Sequence, residues 1–304
     1  GVNELSGVLY VVATPIGNME DITDRAKRIL GEVDIIAAED TRNTIGLLRR
    51  LGINNNLVAN HKFNERHQCD YLISQLLEGK NIAVVSDAGT PCISDPGSII
   101  VDAAVKNNIQ VIGVCGASAV ITGISISGFS ALTFAFYGFF PKTNHEIREK
   151  IEQVKENGIP VSVFYESPLR IKKTINLLCE LLSDSEMCLC NDMTKMYERV
   201  YRGSPQSILE ELKKNPSSEK GEYTLIIKTN VVRKIVAKSD STTSLESQIV
   251  DYMITHNATA KQAVKELSKK NGMTKNELYA ASLHLKEMFT KGPNKSDSED
   301  DINE

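Results

Sequence analysis

Residues 82–97 read Ile-Ala-Val-Val-Ser-Asp-Ala-Gly-Thr-Pro-Cys-Ile-Ser-Asp-Pro-Gly. Ile82 to Val85 is apolar without alternation and stops at a run of turn residues. That pattern marks a strand buried on both faces of a parallel sheet. Leu9 to Ala13, Val33 to Ala38 and Ile109 to Val114 share it. Between these runs, Ile22 to Leu30, Glu65 to Leu77 and Ile99 to Val105 carry helical spacing. The alternation predicts an α/β fold with a parallel sheet covered on both sides.

Outward from this block the pattern changes twice. Val111 to Phe140 holds no charged side chain, yet five glycines interrupt it, so it reads as strand, glycine turn, buried helix and second strand rather than a membrane span. A second α/β block follows Pro141, with strands at Pro160 to Tyr165, Met187 to Cys190 and Tyr223 to Lys228. Ser167 and Pro168 are read as the N-cap and first residue of a helix. Beyond the polar stretch Ser239 to Ser244, Thr259 with Gln262 and Thr274 with Glu277 have capping-box spacing, and Gly272 falls between them. The expected domains are 1–140, 141–235 and a helix-turn-helix-like extension at 244–290, followed by an acidic disordered tail at 293–304.

The chain's net charge is −4, and its last twelve residues, with one Lys against five acids, supply that value alone. Residues 251–291 carry seven Lys against four acids, a basic excess that suits either a solvated helical bundle or an RNA contact. The six Cys are scattered without a CxxC pair, which predicts reduced thiols and a cytoplasmic protein. No secretory pattern is visible. His61, His67 and Cys69 match no familiar metal spacing, so no metal is expected.

The turns after the predicted strands repeat one composition. They read Thr14-Pro15-Ile16-Gly17-Asn18, Glu39-Asp40-Thr41-Arg42, Ser86 to Gly97 and Cys115-Gly116-Ala117-Ser118-Ala119. Parallel sheets bind ligands outside the C-terminal ends of their strands, and Gly lets a ligand approach backbone. Single turns of this kind are ordinary loop-making; four on one edge point to a site. Between Asn81 and Pro141 the only basic residue is Lys106, and neither GxGxxG after the first strand nor a Walker sequence occurs. Asp87 and Asp95 would repel a phosphate-rich cofactor. A sulfonium and an ammonium suit them better, with a carboxylate at a helix N-terminus.

The strings LYVVATPIGN, AAEDTR, VSDAGTP, ISDPG, FYESP and KGEYTLII, in order over residues 7–230, resemble the tetrapyrrole methylase superfamily. Within it they are most similar to the methyltransferases of small-subunit ribosomal RNA, whose C-terminal extension Ala258 to Leu285 also resembles. The resemblance implies two α/β domains, a homodimer, S-adenosylmethionine as cofactor, and 2′-O-methylation of a cytidine in 16S rRNA or the assembling 30S subunit. It places Pro15, Gly17, Asp87, Gly89, Thr90, Pro91, Ile93, Ser94, Gly116, Ser118, Ala119, Tyr165 and Gly221 at the cofactor. Cys92 stands where Gly is usual, Cys115 and Ala117 replace prolines, and Asn191-Asp192 replaces an Arg-Glu pair.

A hydroxyl is a weak nucleophile, so a proton acceptor is expected beside it. Glu39, Asp40, His61 and Glu166 are the candidates, although each has a structural reading as cap, loop or orienting residue. Arg42, Arg49, Arg50, Arg170, Lys172, Lys173 and Lys195 are candidates for an RNA groove. Three other readings stay open: a methylase of the same fold acting on a small molecule or protein side chain, a nucleotide-using enzyme, and a non-catalytic RNA-binding protein.

Overall fold

The computed structural model describes residues 5–229, 244–270 and 274–291. The chain divides into two compact units near residue 232. The first unit holds two five-stranded sheets.

The first sheet is built from β1 (Leu9–Val12), β2 (Ile35–Ala38), β3 (Leu57–Ala59), β4 (Ile82–Val85) and β5 (Val111–Val114), in the order β3-β2-β4-β1-β5. All its pairings are parallel. Side chains alternate across it with period two. Val12, Ile36, Ala38, Ala83 and Val85 pack on α1 (Asp24–Glu32) and α2 (Thr41–Leu51). Leu9, Ile35, Ala37, Ile82 and Val84 pack on α3 (Glu65–Leu77) and α4 (Ser98–Lys106). Continuous apolar strands thus have a core on each face, as the unbroken runs required.

Strand β3 was absent from the sequence reading, and helix α2 entered it only through the reading of Asp40 as a cap. Strand β3 has only three residues, too few to show a period. Helix α2 opens within the stretch read as a loop, with Asp40 as its N-cap accepting from Arg42 N and Gly52 closing it at φ 69.

The second sheet runs β6-β7-β10-β8-β9, from β6 (Phe134–Phe139), β7 (Val161–Glu166), β8 (Glu186–Asn191), β9 (Arg199–Gly203) and β10 (Tyr223–Lys228). Only β6 and β7 pair in parallel; the other three pairings are antiparallel. Helices α6 (Asn144–Glu156), α7 (Ile171–Leu181) and α8 (Pro205–Lys214) bring Ile151, Ile175, Leu178 and Leu209 against one face of this sheet. Its other face receives α5 (Ala119–Ser127), where Val120 meets Val163, Cys188 and Ile226. Gly123 lets that helix approach closely, since a Cβ there would lie 3.0 Å from Ile226 Cδ1. Helix α5 and strand β6, read with the first block, therefore join the second sheet.

Ser167 does not cap α7. Its carbonyl accepts the N–H groups of Arg170 and Ile171, so a turn separates β7 from a helix that begins three residues later than expected.

The second unit has three described helices, α9 (Leu245–His256), α10 (Ala260–Lys270) and α11 (Lys275–Lys291), around Ile249, Ala263, Val264, Leu278 and Ala281. Thr259 and Gln262 cap α10 reciprocally, and Thr274 donates from N and Oγ1 to Glu277 at the start of α11. Gly272, most of the polar stretch Ser239 to Ser244 and the acidic tail lie outside the described residues.

Candidate active site

The turns at the C-terminal ends of the first sheet's strands are bonded to one another. Thr14 and Gly89 exchange both backbone hydrogen bonds, at 2.9 and 3.0 Å. Thr90 Oγ1 donates to Ala117 O at 3.0 Å. Asp87 accepts Asp40 N–H and Asn43 Nδ2, while its own N–H donates to Glu39. A Cβ on Gly116 would sit 2.8 Å from that of Ala13, so glycine allows this turn to close on the first. Four loops far apart in sequence become one rim.

Above this rim lies a cavity of about 480 Å³, within the usual range of small-molecule sites. The first-sheet loops contribute Ile16, Glu39, Asp87, Gly89, Thr90, Ile93, Ser94 and Asp95. Ser118, Ala119 and Val120 come from the start of α5; Phe139, Tyr165, Glu166, Met193, Gly221 and Glu222 come from the second sheet and its loops. Among the described residues, six carboxylates line it and no Lys, Arg or His does.

Those carboxylates fall into two sets. Glu166 is occupied: it accepts Ser167 N–H at 2.7 Å, Thr174 Oγ1 at 2.6 Å, and pairs with Arg170 at 2.7 Å. Asp192 and Glu222 share Lys195, whose ammonium lies 2.8 Å from each. Burial disfavours that ammonium, but the two partners outweigh it and raise its pKa. Glu39, Asp87 and Asp95 have no ion pair within 4 Å among the described residues. Burial, then the charges of Asp87, Asp95 and Asp40, raise the Glu39 pKa against the lowering bond from Asp87 N–H. Burial likewise raises Asp95, opposed by a bond from Ser86 and assisted by Asp87. Carboxylates without an ion pair, half-buried at Glu39 and Asp95 and exposed at Asp87, favour a cationic group. Apolar Ile16, Val120, Met193 and Tyr165 suit its uncharged body; burial pushes the Tyr165 phenol up to about 12.

Of the four proton-acceptor candidates, Glu39 and Glu166 line the cavity and Asp40 and His61 do not. Arg42 binds the Asp40 carboxylate through Nε and a terminal nitrogen, holding its pKa at about 2, which makes it a poor base. His61 stands in the turn after β3, with Nδ1 buried and unpartnered. Glu166 is held by three partners, the Ser167 N–H, the Thr174 hydroxyl and Arg170.

Among the cofactor candidates, Asp87, Gly89, Thr90, Ile93, Ser94, Ser118, Ala119, Tyr165 and Gly221 line the cavity, and Pro15, Gly17, Pro91 and Gly116 do not. Gly17 lies against the Lys195 stem, where a Cβ would come within 2.5 Å of Cγ. Phe139 and Met193 were not singled out from the sequence, and Asp192 was noted there only as a departure from the family's usual residue. Ordinary apolar or loop residues give no signal until the fold brings them to one wall. Of the groove candidates, Arg42, Arg170, Lys172 and Lys195 are tied to acids, leaving Arg49, Arg50 and Lys173 exposed.

The family described as Tetrapyrrole (Corrin/Porphyrin) Methylases matches residues 8–209, which hold the first sheet and all of the second but β10. This chain belongs to the tetrapyrrole methylase family. Its relatives include the Ribosomal RNA small subunit methyltransferase I of Halalkalibacterium halodurans, 39% identical over 274 residues, 90% of this chain and 93% of the relative. The protein of the same name from Haemophilus influenzae is 36% identical over 288 residues, 93% and 99% of the two chains. A solved diphthine synthase shares the fold, with a TM-score of 0.57 at 15% identity, over 74% of this tetrapyrrole methylase and 90% of that chain.

Proposed function

We propose that this protein transfers a methyl group from S-adenosylmethionine to small-subunit ribosomal RNA. The observation that carries the cofactor is the cavity wall on which Glu39, Asp87 and Asp95 stand without a cation. The ribosomal substrate is supported by relatives of that name covering nine-tenths of the chain. A nucleotide-using enzyme is disfavoured by a lining without a basic side chain.

S-adenosylmethionine supplies an electrophilic methyl on a sulfonium. Asp87 and Asp95 face its positive charges, and Gly89, Thr90, Ile93, Ser94, Ser118 and Ala119 hold its body. Pro15, Gly17, Pro91 and Gly116 shape the turns behind them. The bonded rim keeps these groups preorganised, so alignment is the main contribution of the protein. Glu39 is the proton acceptor, because it alone of the four candidates combines a place in the cavity with a raised pKa and no cation partner.

The acceptor is the 2′-oxygen of a cytidine in 16S rRNA, free or within the assembling 30S subunit. The protein works as a cytoplasmic homodimer. No described helix is long and apolar enough to cross a membrane. Nuclease digestion and mass mapping of small-subunit rRNA methylated by the purified protein tests this: one ribose-methylated cytidine is expected. A methyl group on a base would contradict the acceptor.

A further inference from the structure

Phe139 reaches the cavity through an irregularity in β6. Phe134 and Phe136 pair with Val161 and Val163, and the next pair is Phe139 with Tyr165. Three steps on one strand thus match two on its neighbour. The extra residue lies at Tyr137-Gly138, with Gly138 at φ 72. Bulges are rare between parallel strands, and they re-aim side chains next to active sites.

The consequence follows from the two-residue period of a strand. Without the extra residue, position 138 would share the face of Phe136, and Phe139 would turn to the opposite one. With it, Phe136 and Phe139 both stand edge-on to Tyr165, with centroids 4.9 and 5.5 Å away. Tyr137 and Phe140 go to the other face and stack on Phe164 at 5.0 and 4.1 Å. Phe140 is 2% exposed in the core, whereas Phe139 lines the cavity and remains 58% exposed. The bulge therefore presents an oriented aromatic ring at the site instead of burying it.

We propose that Phe139 is a platform on which an unstacked nucleobase of the RNA substrate lies while its ribose faces the cavity. The proposal rests on the reading of RNA as the substrate. The unpaired carboxylates that favour a cationic cofactor stand on first-sheet loops, while Phe139 stands on the second sheet's edge strand. A resident cofactor buries most of its surface; a half-open ring suits a group that arrives and departs with a large substrate. Sequence-specific RNA recognition uses unstacked bases laid on aromatic rings, and Tyr165 holds this ring in place from its edge.

The test compares Phe139→Ala and Phe139→Trp with the parent protein, reading S-adenosylmethionine affinity by calorimetry and kcat/KM on small ribosomal subunits. Phe139→Ala is expected to lower kcat/KM about 5- to 150-fold, the range for losing one base stack, with cofactor affinity unchanged. Phe139→Trp is expected to restore most of it. Equal losses in both variants would assign the ring to packing. A parallel loss of cofactor affinity would assign it to the cofactor's adenine, and no change in either quantity would remove it from the site. Each of these overturns the platform while the methyltransferase reading stands; a parent protein that binds cofactor yet methylates no RNA would overturn both.

Discussion

Glu65 Oε1 accepts the backbone N–H of Gly97 at 2.6 Å, and that of Ile99 at 3.3 Å. Gly97 is the N-cap residue of α4 and has no capping side chain of its own. A buried carboxylate at the start of α3 thus caps a neighbouring helix and complements its dipole. It also pins the end of the loop that brings Asp87 to Asp95 to the cavity.

Glu65→Ala is accordingly expected to destabilise the protein by about 2 kcal/mol, as for loss of charged hydrogen bonds with two donors stranded. Urea unfolding checks this. Cofactor affinity should fall with it, and Glu65→Gln, which keeps an acceptor, should lose less of both.

Cys92 has φ 69, a conformation in which a side chain is strained. That accounts for glycine being usual there. Cys92→Gly is expected to fold with a melting temperature at or above that of the parent. Cys92→Val, β-branched in the same backbone, should lose about 1–3 kcal/mol in a denaturant titration.

Gly221, at φ 83, lies against Asp192, and a Cβ there would fall on the carboxylate that Lys195 holds. Gly221→Ala should displace Asp192, loosen its pairing with Lys195 and weaken S-adenosylmethionine binding at least tenfold by calorimetry. Ala substitution at exposed Gly46, where nothing lies within 4 Å, should leave binding unchanged.

The first sheet was legible because strands such as Ile82–Val85 are buried on both faces and bounded by turns. In the second, the strands at Pro160 to Tyr165, Met187 to Cys190 and Tyr223 to Lys228 were legible but their directions were not, since such apolar runs look alike whether their neighbours run parallel or antiparallel. Ser167-Pro168 misled because a cap and a turn use the same residues. The turn carrying Asp87 and Ser94 was readable from its Gly, Pro and Asp, and that carrying Ser118 from Gly116 and its place after a strand. Phe139 was not, as its aim depends on one extra residue in a pairing that only the fold creates.

Glu39 gives the pH dependence. Its pKa is raised above the ordinary 4.5, chiefly by burial, so the folded state holds the proton more tightly than the unfolded chain. Its contribution therefore favours folding at low pH and is lost as pH rises through the raised value. Glu39→Gln should be more stable than the parent at neutral pH, with the gap closing as pH falls through the raised value towards 4.5. As the proposed acceptor it works only when ionised, so the acid limb of kcat/KM, which reports the free protein, should lie above pH 4.5 and vanish in Glu39→Gln. The variant's kcat should fall by about 10²–10⁴.

The most direct measurement is transfer of a radiolabelled methyl group from S-adenosylmethionine by the purified protein, offered small ribosomal subunits from cells lacking their own activity of this kind. Label in the small-subunit rRNA, sharply reduced by Glu39→Gln and by Asp87→Asn, is the result expected. No incorporation into that RNA, or undiminished incorporation by both variants, would contradict the assignment of this cavity as its methyltransferase site.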